Sequence, residues 1–204
     1  MLNKLVISML SIVMVLPLFA VSLNAAAKDN PKVHVVTNKG EFTLELYPEK
    51  APITVENFLY YVNNKFYDET LIHRVRKGFV LQGGGYTVDN IKKETAAPIK
   101  NEADNGLKND KYTISMARTN EINSATSQFF INLQDNPALD HKGKAPAQYG
   151  YAVFGKVVEG QETIDKIGQV KAEMKDGMYR PVKKVIIESM RVAGKEKAEE
   201  KKEE

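Results

Sequence analysis

The residues best able to do chemistry lie in two stretches, LIHRVRKGFVLQGGG (residues 71–85) and SQFFIN (residues 127–132). Read as strands, each sends its side chains alternately to two faces. In SQFFIN, Phe129 and Ile131 share one face and suit a core, while Gln128, Phe130 and Asn132 share the other. A phenylalanine ring on an otherwise polar face is unusual, because rings of that size are normally buried. In FVLQ the same spacing puts Val80 and Gln82 on one face, with Phe79 beside them at the strand start. Arg74 sits in a strand-like run after His73. Its guanidinium is always charged and presents five N–H donors in a rigid fork. An arginine, two amides and several apolar or aromatic groups thus meet a common surface. That set suits gripping a peptide without breaking it.

Other chemistries are poorly served. No G-x-S-x-G is present for a hydrolase. The run Gly83-Gly84-Gly85 is not followed by G-K-[ST] and so is no P-loop; it reads as a strand bend or a close backbone approach. The chain has no cysteine, and its three histidines (His34, His73, His141) show no ligand spacing, so no metal or other cofactor is implied. A net charge of +3 is too small to argue for nucleic acid.

At these residues the chain resembles the cyclophilin family of peptidyl-prolyl cis/trans isomerases. The motifs are IHRVRKGF with its arginine, the QGG after it, NGLKND and SMART in the middle, SQFFIN, and YAVFGKVVEG near the end. The resemblance runs from about Val33 to about Val192. SMART, SQFFIN and the LDH after Ala138 look most like the secreted bacterial branch. The resemblance implies a mainly β fold, a closed eight-stranded antiparallel barrel capped by two helices, and acceleration of rotation about X-Pro bonds. Arg74 matches the family's catalytic arginine. The proline pocket would comprise Phe79, Val80, Phe130 and Leu139, with Tyr151 beside it. Gln82 and Gln128 would position the substrate backbone or Arg74, and Ala117 and Arg118 would contribute main-chain contacts. The implied partners are proline-containing polypeptides and unfolded exported proteins, met by a monomer. A proline-peptide-binding chaperone with little turnover would keep the same pocket; the intact Arg74 argues against it.

Some positions depart from the family pattern. Val80 stands where a methionine is common, Ala138 where many members carry a tryptophan, and Tyr151 where many carry a histidine. The tryptophan is associated in the family with tight cyclosporin binding, so weak binding of cyclosporin is expected.

The elements that must position these groups are visible in the pattern. KVHVVT and EFTLELY alternate and are joined by Asn38-Lys39-Gly40, a short hairpin signal. Pro52 opens a helix with Val55, Phe58, Leu59 and Val62 on one apolar stripe. The strands LIHRVR, FVLQG, YTISMA, QFFINL and AVFGKVV follow, then a short helix over about residues 162–167, then KKVIIESMRV. Periodicity supports mostly antiparallel β with two helices; closure into a barrel is what the resemblance adds.

The ends read differently. Lys4, an apolar run over residues 5–23 and Ala25-Ala26-Ala27 form a signal peptide spanning 1–27. Pro17 and the Ala-x-Ala site favour cleavage over a retained anchor. Cleavage leaves 204 − 27 = 177 residues, without stable membrane association, and predicts a periplasmic protein. Residues 28–193 form one isomerase domain, and 194–204 a charged, disordered tail to which no function is assigned.

Overall fold

The structure is a computed structural model that describes residues 29–194. The expected signal peptide, and the tail beyond Gly194, lie outside the described residues.

The chain begins with the hairpin of β1 (Lys32–Thr37) and β2 (Gly40–Leu46). Their alternation is used as read: Val33 pairs with Leu44 and Val35 with Phe42, all buried. Helix α1 (Pro52–Asn63) follows, then β3 (Thr70–Arg76), β4 (Val80–Thr87), β5 (Thr113–Met116) and β6 (Phe129–Asn132). A 3₁₀ turn at Pro137–Leu139 precedes β7 (Val153–Glu159) and α2 (Gln161–Gly168). The chain ends with β8 (Ala172–Lys175), β9 (Met178–Pro181) and β10 (Ile186–Val192).

Eight strands close into an antiparallel barrel in the order β1-β10-β3-β4-β6-β5-β7-β2, so the barrel itself has no free edge. Its interior is filled by inward residues of every wall, among them Leu44, Ile72, Leu81, Ile114, Phe129, Ile131 and Phe154. Helix α1 adds Phe58, whose ring lies 5.8 Å edge-on to Phe129 and 5.1 Å from Phe154. Truncating such a ring costs ~3–5 kcal/mol, because the cavity does not collapse fully. The N-terminus of α1 is closed from 48 residues away: the Glu102 carboxylate accepts from the N–H of Ile53 (3.2 Å) and Thr54 (2.8 Å) and from the Thr54 hydroxyl (2.7 Å). A negative group there satisfies free donors and complements the helix dipole.

The hairpin β8–β9 stands outside the barrel as a separate two-stranded sheet, in a segment where the residue pattern predicts no element. Its turn is Asp176-Gly177, with φ of +51° and +74°, the paired positive values of the tightest hairpin turn. Ala172 and Met174 face Pro181 and Tyr179 on one side of the hairpin, but strands of four residues are too short for alternation to mark them.

Candidate active site

The site lies on the outer wall of the barrel, across β3, β4, β5 and β6. Leu81, Phe129 and Ile131 point into the core. The residues between them, Val80, Gln82 and Phe130, take the other side. On β3 the simple alternation fails. Ile72 is in the core while Arg74, two residues later, faces outward, because the β3–β4 register shifts between them: Ile72 opposes Gly83 and Arg74 opposes Gln82. An extra residue of this kind re-aims the next side chain.

Nine of the ten residues singled out from the sequence line one cleft of about 150 Å³: Arg74, Phe79, Val80, Gln82, Ala117, Arg118, Phe130, Leu139 and Tyr151. The tenth, Gln128, stands behind it in a relay. Arg74 Nη1 donates to Gln82 Oε1 (3.0 Å), and Gln82 Nε2 donates to Gln128 Oε1 (2.9 Å). Gly85 makes room for this: a Cβ there would stand 2.6 Å from the Gln128 side chain. The glycine run thus serves a close approach, as its sequence suggested.

The apolar part of the cleft is rigidly built. Phe130, only 4% exposed, meets the Tyr151 ring edge-on at 5.5 Å, and Val80 is equally buried. Phe79 lies in the turn between β3 and β4, not in the strand, and its ring is flanked by Arg74 at 5.9 Å and Arg76 at 5.1 Å. Burial, then the charge of Arg76, draws the Arg74 guanidinium below its ordinary value, while Tyr151 opposes the shift. An arginine so placed stays charged at neutral pH.

Two features were not legible beforehand. Arg118 does more than offer main chain. Its guanidinium donates to the carbonyls of Gly150 (2.9 Å), Thr119 (2.9 Å) and Pro146 (2.9 Å) and stacks 4.8 Å from the Tyr151 ring. It therefore holds the loop before β7 against the cleft. Beneath the floor lies a buried polar network. Asn109 donates from its backbone to Asp140 (2.8 Å) and accepts from Ser115 (2.8 Å) and Asn132 (3.3 Å). Asn136 donates to Asn132 (2.8 Å) and to the Phe79 carbonyl (3.0 Å). This network fixes the turn that carries Leu139. Asn132 shares a strand face with Phe130, as alternation requires, yet it is fully buried because later segments cover that face. Among the described residues no cluster of His, Asp and Glu could hold a metal ion.

A small apolar slot beside a fixed, oriented cation is built to receive a compact ring and donate a hydrogen bond next to it. Comparison with known proteins agrees with that geometry. The family model for cyclophilin-type peptidyl-prolyl cis-trans isomerases matches residues 32–192. A peptidyl-prolyl cis-trans isomerase of Streptomyces antibioticus is 53% identical over 163 residues, covering 79% of this chain and 98% of that one. Peptidyl-prolyl cis-trans isomerase A of Dickeya dadantii is 50% identical over 187 residues, covering 91% and 96%. A solved Cryptosporidium parvum cyclophilin, 26% identical, superposes with a TM-score of 0.66 over 81% of this chain and 98% of that one. The same protein has been solved in the presence of the dipeptide Ala-Pro. The chain belongs to the cyclophilin family, and peptidyl-prolyl cis-trans isomerisation is its activity.

Proposed function

We propose that the protein rotates X-Pro bonds in exported polypeptides and so assists their folding, with Arg74 as the catalytic donor and Phe79, Val80, Phe130, Leu139 and Tyr151 as the proline pocket. The observation that carries this reading is the Arg74–Gln82 hydrogen bond at the edge of an apolar slot of proline size.

The chemistry is one of differential binding. A peptide bond resists rotation by ~18–20 kcal/mol because twisting destroys amide resonance. In the twisted state the prolyl nitrogen turns pyramidal and gains a lone pair. A donor aimed at that lone pair stabilises the transition state over either ground state, which is the stabilisation that accelerates the step. One preorganised donor supplies ~3–4 kcal/mol, or roughly 10²–10³-fold. Clamping the prolyl ring in the slot, with the substrate backbone met by the main chain at Ala117 and Arg118 and Arg74 oriented by Gln82 and Gln128, supplies more.

Export rests on the leader-like residues 1–27. One experiment tests both parts. Expressed with its own N-terminal segment in a Gram-negative host, the protein is expected in the periplasmic fraction with Lys28 as its N-terminus. That fraction should be active in a protease-coupled isomerase assay, and Arg74→Ala should lower kcat/KM by ~10²-fold or more with little change in thermal stability. A folded Arg74→Ala protein of unaltered activity would sink the mechanism. A full-length product held in the membrane would sink the export reading.

A further inference from the structure

Helix α1 walls a second concavity, separate from the cleft. Pro52, Val55, Glu56, Leu59, Tyr60 and Asn63 recur at i, i+3, i+4, i+7, i+8 and i+11, so a single helix face lines it. The facing wall is the chain that leads into β1 together with Pro48 and Glu49 after β2, and the groove holds about 650 Å³. Tyr60 stands 55% exposed beside it, its ring edge-on to Tyr61 at 5.4 Å.

Two properties define what would fit. Pro31, Pro48 and Pro52 contribute apolar rings and no N–H, so at these positions an occupant is gripped by side chains and not by strand addition. The charged residues of the lining are all acidic: Asp29, Glu49 and Glu56, with no lysine, arginine or histidine among the lining residues. The chain as a whole carries +3, so this lining runs against the average charge of the protein. The groove wall along α1 is ~16 Å long at ~1.5 Å per residue, which matches roughly five residues of extended chain at ~3.3 Å each.

We propose that this groove docks a short, extended apolar segment of an unfolded polypeptide flanked by lysine or arginine, independently of proline and of the isomerase cleft. Apolar side chains would lie on Val55, Leu59, Tyr60 and the proline rings, and the flanking cations would meet the three carboxylates. A protein with this groove can hold a client by one segment while the cleft samples its X-Pro bonds elsewhere. Tethering of that kind raises effective concentration.

The test uses a fluorescent, proline-free Leu/Val peptide with lysines at both ends, its glutamate-ended counterpart, and the purified protein at low salt. The lysine peptide should bind and the glutamate peptide bind about tenfold more weakly. Charge reversal by Glu49→Lys with Glu56→Lys should invert that preference, and Tyr60→Ala should weaken both peptides. Turnover of a short X-Pro peptide should be unchanged in every variant, which also shows that each is folded. A saturating X-Pro peptide should not displace the probe. Displacement by the X-Pro peptide, equal binding of both probes, no binding, or indifference to the substitutions would each overturn the proposal. So would dimerisation lost on Tyr60→Ala, which would assign the groove to a second copy.

Discussion

Arg74 and Gln82 are opposite each other on β3 and β4, and Arg74 Nη1 donates to Gln82 Oε1 at 3.0 Å. The pair exists because of the register shift at His73, which turns Arg74 out of the barrel, and because Gly85 leaves Gln128 room to brace Gln82 from behind. A long flexible side chain is thereby held in one orientation before substrate arrives. Ordering it beforehand removes an entropic cost that each turnover would otherwise carry.

Gln82→Leu keeps the volume of the side chain and removes the acceptor. A hydrogen bond to a charged group is worth ~1.5–3 kcal/mol, so kcat/KM should fall about tenfold or more. Combined with Arg74→Ala, the substitution should cost little beyond Arg74→Ala alone, because the two side chains act as a unit. Isomerase assays on the four members of the cycle decide this. Fully additive losses would mean that Gln82 serves the substrate and not Arg74.

Much of this architecture is legible in residue patterns, and the failures have particular causes. Alternation places Val80, Gln82 and Phe130 together because β4 and β6 are regular there. It cannot place Arg74 relative to Ile72, since a register shift leaves no periodic trace. The network of Asn109, Asn132, Asn136 and Asp140 joins residues up to 31 apart, and a buried asparagine looks like a solvated one until its partners are known. The β8–β9 hairpin leaves a local signal, the Asp176-Gly177 pair, but its strands are only four residues long, too short for alternation to show beside it. Barrel closure is a property of strands far apart in sequence, β1 with β10 and β2 with β7, and entered only through resemblance.

His73 gives the fold a dependence on pH. It is 3% exposed, its ring lies 4.7 Å from that of Tyr86 and tilted by 59° to it, and its Nδ1 has no hydrogen-bond partner. Burial first, then the positive charge of Arg180, draws its pKa down to about 4; the Leu71 carbonyl pulls the other way, and Arg74 lowers it further. Between pH ~6.5 and ~4 the unfolded chain takes up a proton that the folded chain refuses, so stability is full above this window and falls as the pH drops through it. Over about two pH units the loss is on the order of 2–3 kcal/mol. Denaturant unfolding at pH 7 and pH 4.5 should show His73→Gln losing less stability on acidification by that amount. Parallel losses in both proteins would mean that His73 is protonated in the folded state.

The last prediction separates turnover from drug binding at one exposed position. Ala138 lies in the 3₁₀ turn at Pro137–Leu139, next to Leu139 of the cleft, and its methyl group faces solvent. Many family members carry a tryptophan here, the residue associated with tight cyclosporin binding. A large aromatic can bury ~150–250 Å² and offers an indole N–H that alanine lacks. Losing even half of that contact, at ~25 cal/mol per Å², is worth ~2–3 kcal/mol, roughly two orders of magnitude in affinity. The slot of Val80, Phe130, Leu139 and Tyr151 does not depend on position 138, so short X-Pro peptides should turn over readily. An active isomerase only weakly inhibited by cyclosporin is therefore expected. Ala138→Trp, made at an exposed site with nothing to overpack, should strengthen inhibition by ~10²-fold and leave kcat/KM for a short peptide within about twofold. Inhibition titrations of both proteins measure this directly, and nanomolar inhibition of the unmodified protein would show that contacts away from position 138 carry the drug.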